Sequence, residues 1–183
     1  MRALQLCMAL GVAVLPAQAS AQQTVFVGAG AVIPMGEFGS VADLGYQAQV
    51  GGTMQLAETH FVIGAAGFFG RADHEIPGER STLYGATVLA GYSIATRYDL
   101  TVTGWAGLGG MIHAHESGTF PGLDASRRGL TVNAGGGVAR PVGRVSAFVS
   151  ALYTRGVGGL GTSAYPTEWI TLGGGIAIPI GMD

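Results

Sequence analysis

From position 22 onward, apolar residues alternate with small or polar ones at a period of two. That is the pattern of strands whose successive side chains point to opposite faces. Eight segments carry it. Thr24–Ile33 sets Val25, Val27, Ala29, Ala31 and Ile33 on one face. Leu44–Leu56 sets Leu44, Tyr46, Ala48, Val50, Met54 and Leu56 against Gln47, Gln49, Thr53 and Gln55. Phe61–Gly70 is apolar on both faces and slimmed by Gly64, Gly67 and Gly70. Thr82–Tyr92 and Leu100–Met111 return to strict alternation, the latter with Val102, Ala106 and Leu108 against Thr103, Trp105 and Gly107. Leu130–Ala139, Val145–Arg155 and Trp169–Ile180 repeat it, with Asn133, Ser146 and Thr171 on the small-and-polar side. Segments of about ten residues are what a tilted strand needs to cross a bilayer.

The connections alternate in length. Links 34–43, 71–81, 112–129 and 156–168 are long, whereas 57–60, 93–99 and 140–144 are short. Long extracellular loops and short periplasmic turns alternate in this way around membrane barrels. Acidic residues and arginines fall in the links or at segment ends, which leaves a face of Val, Ile, Leu, Ala and Tyr for lipid. Phe26, Phe61, Tyr84, Tyr92, Tyr98, Tyr153, Tyr165 and Trp169 lie near segment ends, where interfacial girdle residues would stand. The expected fold is all-β: one eight-stranded antiparallel up-and-down transmembrane β-barrel over residues 22–183, behind a cleaved signal peptide.

Composition narrows the alternatives. Apolar residues make up 48% of the chain and charged residues 11%, with a mean hydropathy of +0.41. Yet no uninterrupted apolar run after the N-terminus reaches the roughly 18 residues of a helical span. The 33 glycines also oppose helices, each costing about 1 kcal/mol relative to Ala in a helix interior. A closed barrel satisfies every backbone donor and acceptor inside a bilayer. Residues 1–21 read as the export signal: Arg2, an apolar core Leu4–Leu15, Pro16, then Ala19-Ser20-Ala21 as the cleavage site. The one cysteine, Cys7, lies within that segment, so the mature chain would have no thiol chemistry. A net charge of −2 without any lysine gives no basic field for nucleic acid.

The leader, the eight alternating segments and openings such as VFVGAGAVIP followed by GYQAQVGGTMQL resemble the small eight-stranded outer-membrane β-barrel family. That family includes the OmpA transmembrane domain and the OmpX and OmpW-type proteins. The resemblance spans the mature chain and implies a fold and an address rather than one job. It implies residence in the outer membrane, contact with outer-membrane lipid and lipopolysaccharide, and insertion by the barrel insertion machinery. It implies no cofactor.

Candidate chemistry is sparse. His113, His115 and Glu116 open the longest link, where His74 or Glu116 would complete a metal site if the strand ran that far. Solvated loop histidines are the commoner case, and the expectation is no metal. His115, Glu116 and Ser117 supply the residue types of an acyl hydrolase, but adjacent strand residues face opposite ways. Arg127 and Arg128 are candidate loop contacts to lipopolysaccharide phosphates. Gln47, Gln49, Gln55, Thr103, Trp105, Asn133, Ser146 and Thr171 are the expected lumen-lining residues. They form either a water path or a closed polar core that satisfies itself; the latter is favoured. The leading functional expectation is a non-enzymatic barrel that contributes to envelope integrity or surface interaction through its extracellular loops. The alternatives are a narrow channel for small neutral or apolar solutes, a lipid-modifying enzyme, and a soluble periplasmic barrel holding an apolar ligand.

Overall fold

The computed structural model describes residues 22–56, 59–118, 125–157 and 167–180. The leader assigned to residues 1–21, Tyr165 and most of the last long link lie outside the described residues. Eight strands follow one another: β1 (Gln23–Pro34), β2 (Gly45–Gln55), β3 (Phe61–Asp73), β4 (Glu79–Ala95), β5 (Thr101–Ser117), β6 (Ala125–Val142), β7 (Val145–Val157) and β8 (Glu168–Ile180). Each pairs antiparallel with its sequence neighbours, and β8 returns to β1 to close the barrel. Closure leaves no sheet edge within the membrane. The β6–β7 connection is a tight turn in which Gly143 takes a φ of +66°, the left-handed conformation that two-residue hairpin turns demand of a central residue.

Side-chain parity then sorts the wall. Val27, Val50, Val88, Leu108, Val149 and Ile176 stand on the outside and are exposed. With Leu108 65% accessible among them, these residues form a continuous apolar exterior of the kind that lipid covers. Tyr46, Phe61, Phe69, Tyr92 and Tyr98 add an exposed aromatic set. Phe26 and Trp169 do not belong to it, contrary to the girdle reading. Phe26 points into the lumen and packs edge-on against Phe148, with ring centroids 6.1 Å apart. Trp169 is completely buried. Each shares parity with the small and polar residues of its strand, and parity decides the face.

The interior is filled unevenly. Val32, Leu83, Met111 and Trp169 pack together in the half of the lumen nearest the long links, joined by Ala42 and Ala72. A short 3₁₀ turn, Phe38–Ser40, follows β1 and drops the Phe38 ring into this cluster. The other half, towards the short turns, is hollow. Glycine makes room for the large rings there: a Cβ on Gly137 would lie 3.1 Å from the Trp105 ring and 2.7 Å from the Val149 carbonyl.

Candidate functional site

The barrel wall continues past the part that a bilayer covers. β4 and β5 have 17 residues each and β6 has 18, against about ten for a crossing. This corrects the placement of five residues. His113, His115 and Glu116 belong to β5, and Arg127 and Arg128 belong to β6, rather than to a long loop. His113 lies opposite Arg127 and Ile112 opposite Arg128 in an unbroken antiparallel register. Backbone pairing carries the hairpin on after the apolar alternation has ended.

Strand parity divides these side chains between two faces. His113, His115 and Arg127 line a cleft of about 420 Å³ at the outer mouth, with Phe38, His74 and Glu79 among the other lining residues. Glu116 stands on the outer face of the wall and forms an ion pair with Arg80, its register partner on β4. Arg128 alternates with Arg127, so the two arginines do not make one phosphate clamp. His115, Glu116 and Ser117 do not converge either, because Glu116 faces away from the other two.

Inside the mouth, the side chains that do converge are Ser81, His74, His113 and Thr167. The Ser81 Oγ lies 2.8 Å from His74 Nε2 and 2.7 Å from His113 Nε2. His113 Nδ1 lies 3.0 Å from the Thr167 hydroxyl. A hydroxyl has one proton, so Ser81 donates to one imidazole and accepts from the other. The Phe38 ring packs edge-on against His113, and the rings of His74 and His115 approach to 5.0 Å. His74 lies between β3 and β4. Burial, followed by the neighbouring His115, holds its pKa below the ordinary histidine value of 6.5, although Glu79, Asp43 and Asp73 oppose the shift. Ser81 is sealed from solvent. Among the described residues neither His74 nor His113 is hydrogen-bonded to a carboxylate, and no three His, Cys, Asp or Glu side chains are placed to hold a metal ion. The constellation therefore closes the mouth. As a nucleophile, Ser81 would lack an exposed oxygen, and its imidazole neighbours are held by hydroxyls rather than by a carboxylate.

Ser81, Thr167 and Phe38 were missed in the sequence. The signal for Ser81 was present: it has the same parity as Leu83, Thr87 and Leu89, so it must face inward.

A second polar layer lies deeper. The Trp169 indole donates to Gln47 Oε1 (3.2 Å) and to the Thr171 hydroxyl (3.1 Å), and Thr171 in turn donates to Gln47 (3.2 Å). Across the lumen, the Asn133 amide donates to Thr87 (3.0 Å) and accepts from Thr154 (2.9 Å). Among the described residues no buried side-chain nitrogen or oxygen lacks a partner. Gln47, Asn133 and Thr171 lie in this layer. Gln49, Gln55, Thr103, Trp105 and Ser146 line the hollow beneath it.

A closed antiparallel barrel with an apolar exterior, exposed aromatics and a hydrogen-bonded polar layer across its lumen defines a transmembrane β-barrel of the bacterial outer membrane. Comparisons agree on the fold. Neisserial surface protein A matches with a TM-score of 0.63 at 14% identity, covering 87% of this chain and 99% of that one. A major outer membrane protein from Thermus thermophilus matches at 0.60 and 13% identity, covering 88% of this chain and 100% of that one. The N-terminal β-barrel domain of Pseudomonas aeruginosa OprF matches at 0.53 and 14% identity, covering 88% and 100%. No family model matches the sequence, and no curated protein does.

Proposed function

We propose that this barrel is a non-enzymatic, non-conducting protein of the outer membrane that contributes to envelope integrity or surface interaction through its outer rim. One observation carries the reading: the outer half of the lumen is filled. Phe38, Val32, Leu83, Met111 and Trp169 pack there, above a polar layer whose hydrogen bonds are internally satisfied. A water path needs a continuous polar route, and here it would meet the packed side chains of Val32, Phe38, Leu83, Met111 and Trp169. What remains accessible from outside is the projecting wall of β4, β5 and β6 with its mouth cleft. Arg127 and Arg128, on opposite faces of β6, give that wall separate cationic contacts for lipopolysaccharide phosphates. Planar-bilayer recording of the purified protein is the test. No conductance steps are expected, and reproducible steps from the unmodified protein would overturn the reading in favour of a narrow channel. Lipopolysaccharide binding by the wall is read separately, as a weaker, salt-sensitive affinity in an Arg127→Gln, Arg128→Gln variant.

A further inference from the structure

The hollow half of the barrel lies apart from the outer rim. It encloses about 450 Å³ and runs from the short-turn mouth, lined there by Gln22, Gln55 and His60, up to the layer of Gln47, Asn133 and Trp169. Room for roughly fifteen waters at about 30 Å³ each is far more than a packing defect. Its walls are Phe26, Val62, Phe68, Leu89, Trp105 and Phe148. Among the described residues no Asp, Glu or Arg side chain lines it. The apolar stretches of such a wall hold water poorly and favour the apolar body of a small molecule.

Polar side chains are interspersed among these apolar ones, Gln49, Gln55, Thr103, Ser146 and Ser150 among them. The side chains of Gln49 and Ser150 line the cavity and make no hydrogen bond to another side chain among the described residues. Several other polar groups around it are spent: Ser93 on Thr103 at 2.9 Å, and Gln47 and Asn133 within their own layer. An apolar chamber with a few unspent donors and acceptors is the usual composition of a small-molecule site.

We infer that the lumen is a dead-end binding pocket, entered from the short-turn, periplasmic mouth, for one uncharged and largely apolar small molecule bearing a hydrogen-bonding group. The packed outer half makes the site a receptacle rather than a passage. Uncharged ligands are selected because a buried ion would meet no counter-charge. The five aromatic rings Phe26, Phe68, Trp105, Phe148 and Trp169 favour a ligand with a flat or aromatic body.

The chain's two tryptophans, Trp105 and Trp169, both border this cavity. The full protein in phospholipid nanodiscs is titrated with N-phenyl-1-naphthylamine, a neutral apolar dye, and energy transfer from tryptophan is recorded against empty nanodiscs. The expected result is a saturable phase at one dye per barrel, above the linear background of dye dissolving in lipid. A Val62→Phe, Ser150→Leu variant, which fills the chamber, loses that phase at least tenfold. Val88→Phe, on the lipid face, keeps it. Gln49→Leu, which preserves the space and removes the polar handle, weakens it several-fold and serves as the second readout if the filled variant does not fold. A purely linear signal overturns the inference. So does a saturable phase that survives both Val62→Phe, Ser150→Leu and Gln49→Leu.

Discussion

Replacing Trp169 by alanine tests whether the filled outer half of the lumen is the barrel's true core. Trp169 is completely inaccessible, packs against Phe68 with ring centroids 6.1 Å apart, and belongs to the cluster with Val32, Leu83 and Met111. A tryptophan buries about 150–250 Å², which at roughly 25 cal/mol per Å² corresponds to about 4–6 kcal/mol. That is an upper bound, since the unfolded chain already hides some of this surface; large-to-small core changes typically cost about 3–5 kcal/mol. The lost indole donor adds little, because Gln47 Oε1 still accepts from Thr171. Trp169→Phe keeps most of the area and removes the donor, so it should cost only about 0.5–1.5 kcal/mol beyond the modest loss of volume. Urea unfolding in phospholipid vesicles, followed through the fluorescence of Trp105, reads both. With a slope of about 2 kcal/mol per molar urea, Trp169→Ala should lower the midpoint by about 2 M. A shift under about 0.5 M, or equal damage from Phe and Ala, would refute the assignment of the core to this end of the barrel.

Asn133→Ala removes the acceptor of Thr154 and the donor to Thr87; stranding buried hydroxyls should cost about 1–3 kcal/mol in the same unfolding assay. Gly175→Ala should sharply reduce the heat-modifiable folded fraction on gels, because its Cβ would strike the Val27 carbonyl and come within 2.7 Å of Phe148. Gly67→Ala should fold normally, since the nearest atom to its Cβ is the Gly85 carbonyl at 3.8 Å. His74 has a folded pKa depressed by burial and by His115, so the unfolded chain takes up its proton first. The stability it contributes is complete above about pH 6.5, declines as pH falls below that value and levels off beneath the folded pKa. His74→Gln should flatten that decline in unfolding midpoints measured between pH 7.5 and pH 5. Glu116→Gln breaks an ion pair that is nearly half exposed on both sides and should change stability by no more than about 1 kcal/mol.

The eight crossing segments were legible because the bilayer imposes alternation on every strand it covers. Their outer ends were not. Beyond Met111 the chain reads Ile-His-Ala-His-Glu-Ser, where hydropathy no longer distinguishes a strand from a loop. Only the facing ladder to Ala125–Gly129 reveals the strand. The inward direction of Phe26 and Trp169 was written in their parity with Thr24 and Thr171, but position near a segment end pointed to a girdle. The joining of Ser81 to His74 and His113 was illegible for a different reason: it depends on register between β3, β4 and β5, which a single sequence does not disclose. The uneven filling of the lumen is likewise a property of the closed ring, since no strand taken alone contains it.

The overhanging wall has a geometric consequence. β5 exceeds β1 by the difference between 17 and 12 residues, roughly 17 Å of strand at about 3.4 Å per residue. A cylinder with an even rim looks the same from every azimuth. With one tall side built from β4, β5 and β6, this one acquires a front and a back in the plane of the membrane. Among the described residues, a large molecule resting on the cell surface would meet a parapet bearing Arg80, Glu116 and Arg128 on the β4–β6 side of the mouth cleft. Rotation about the membrane normal thereby becomes a variable in recognition.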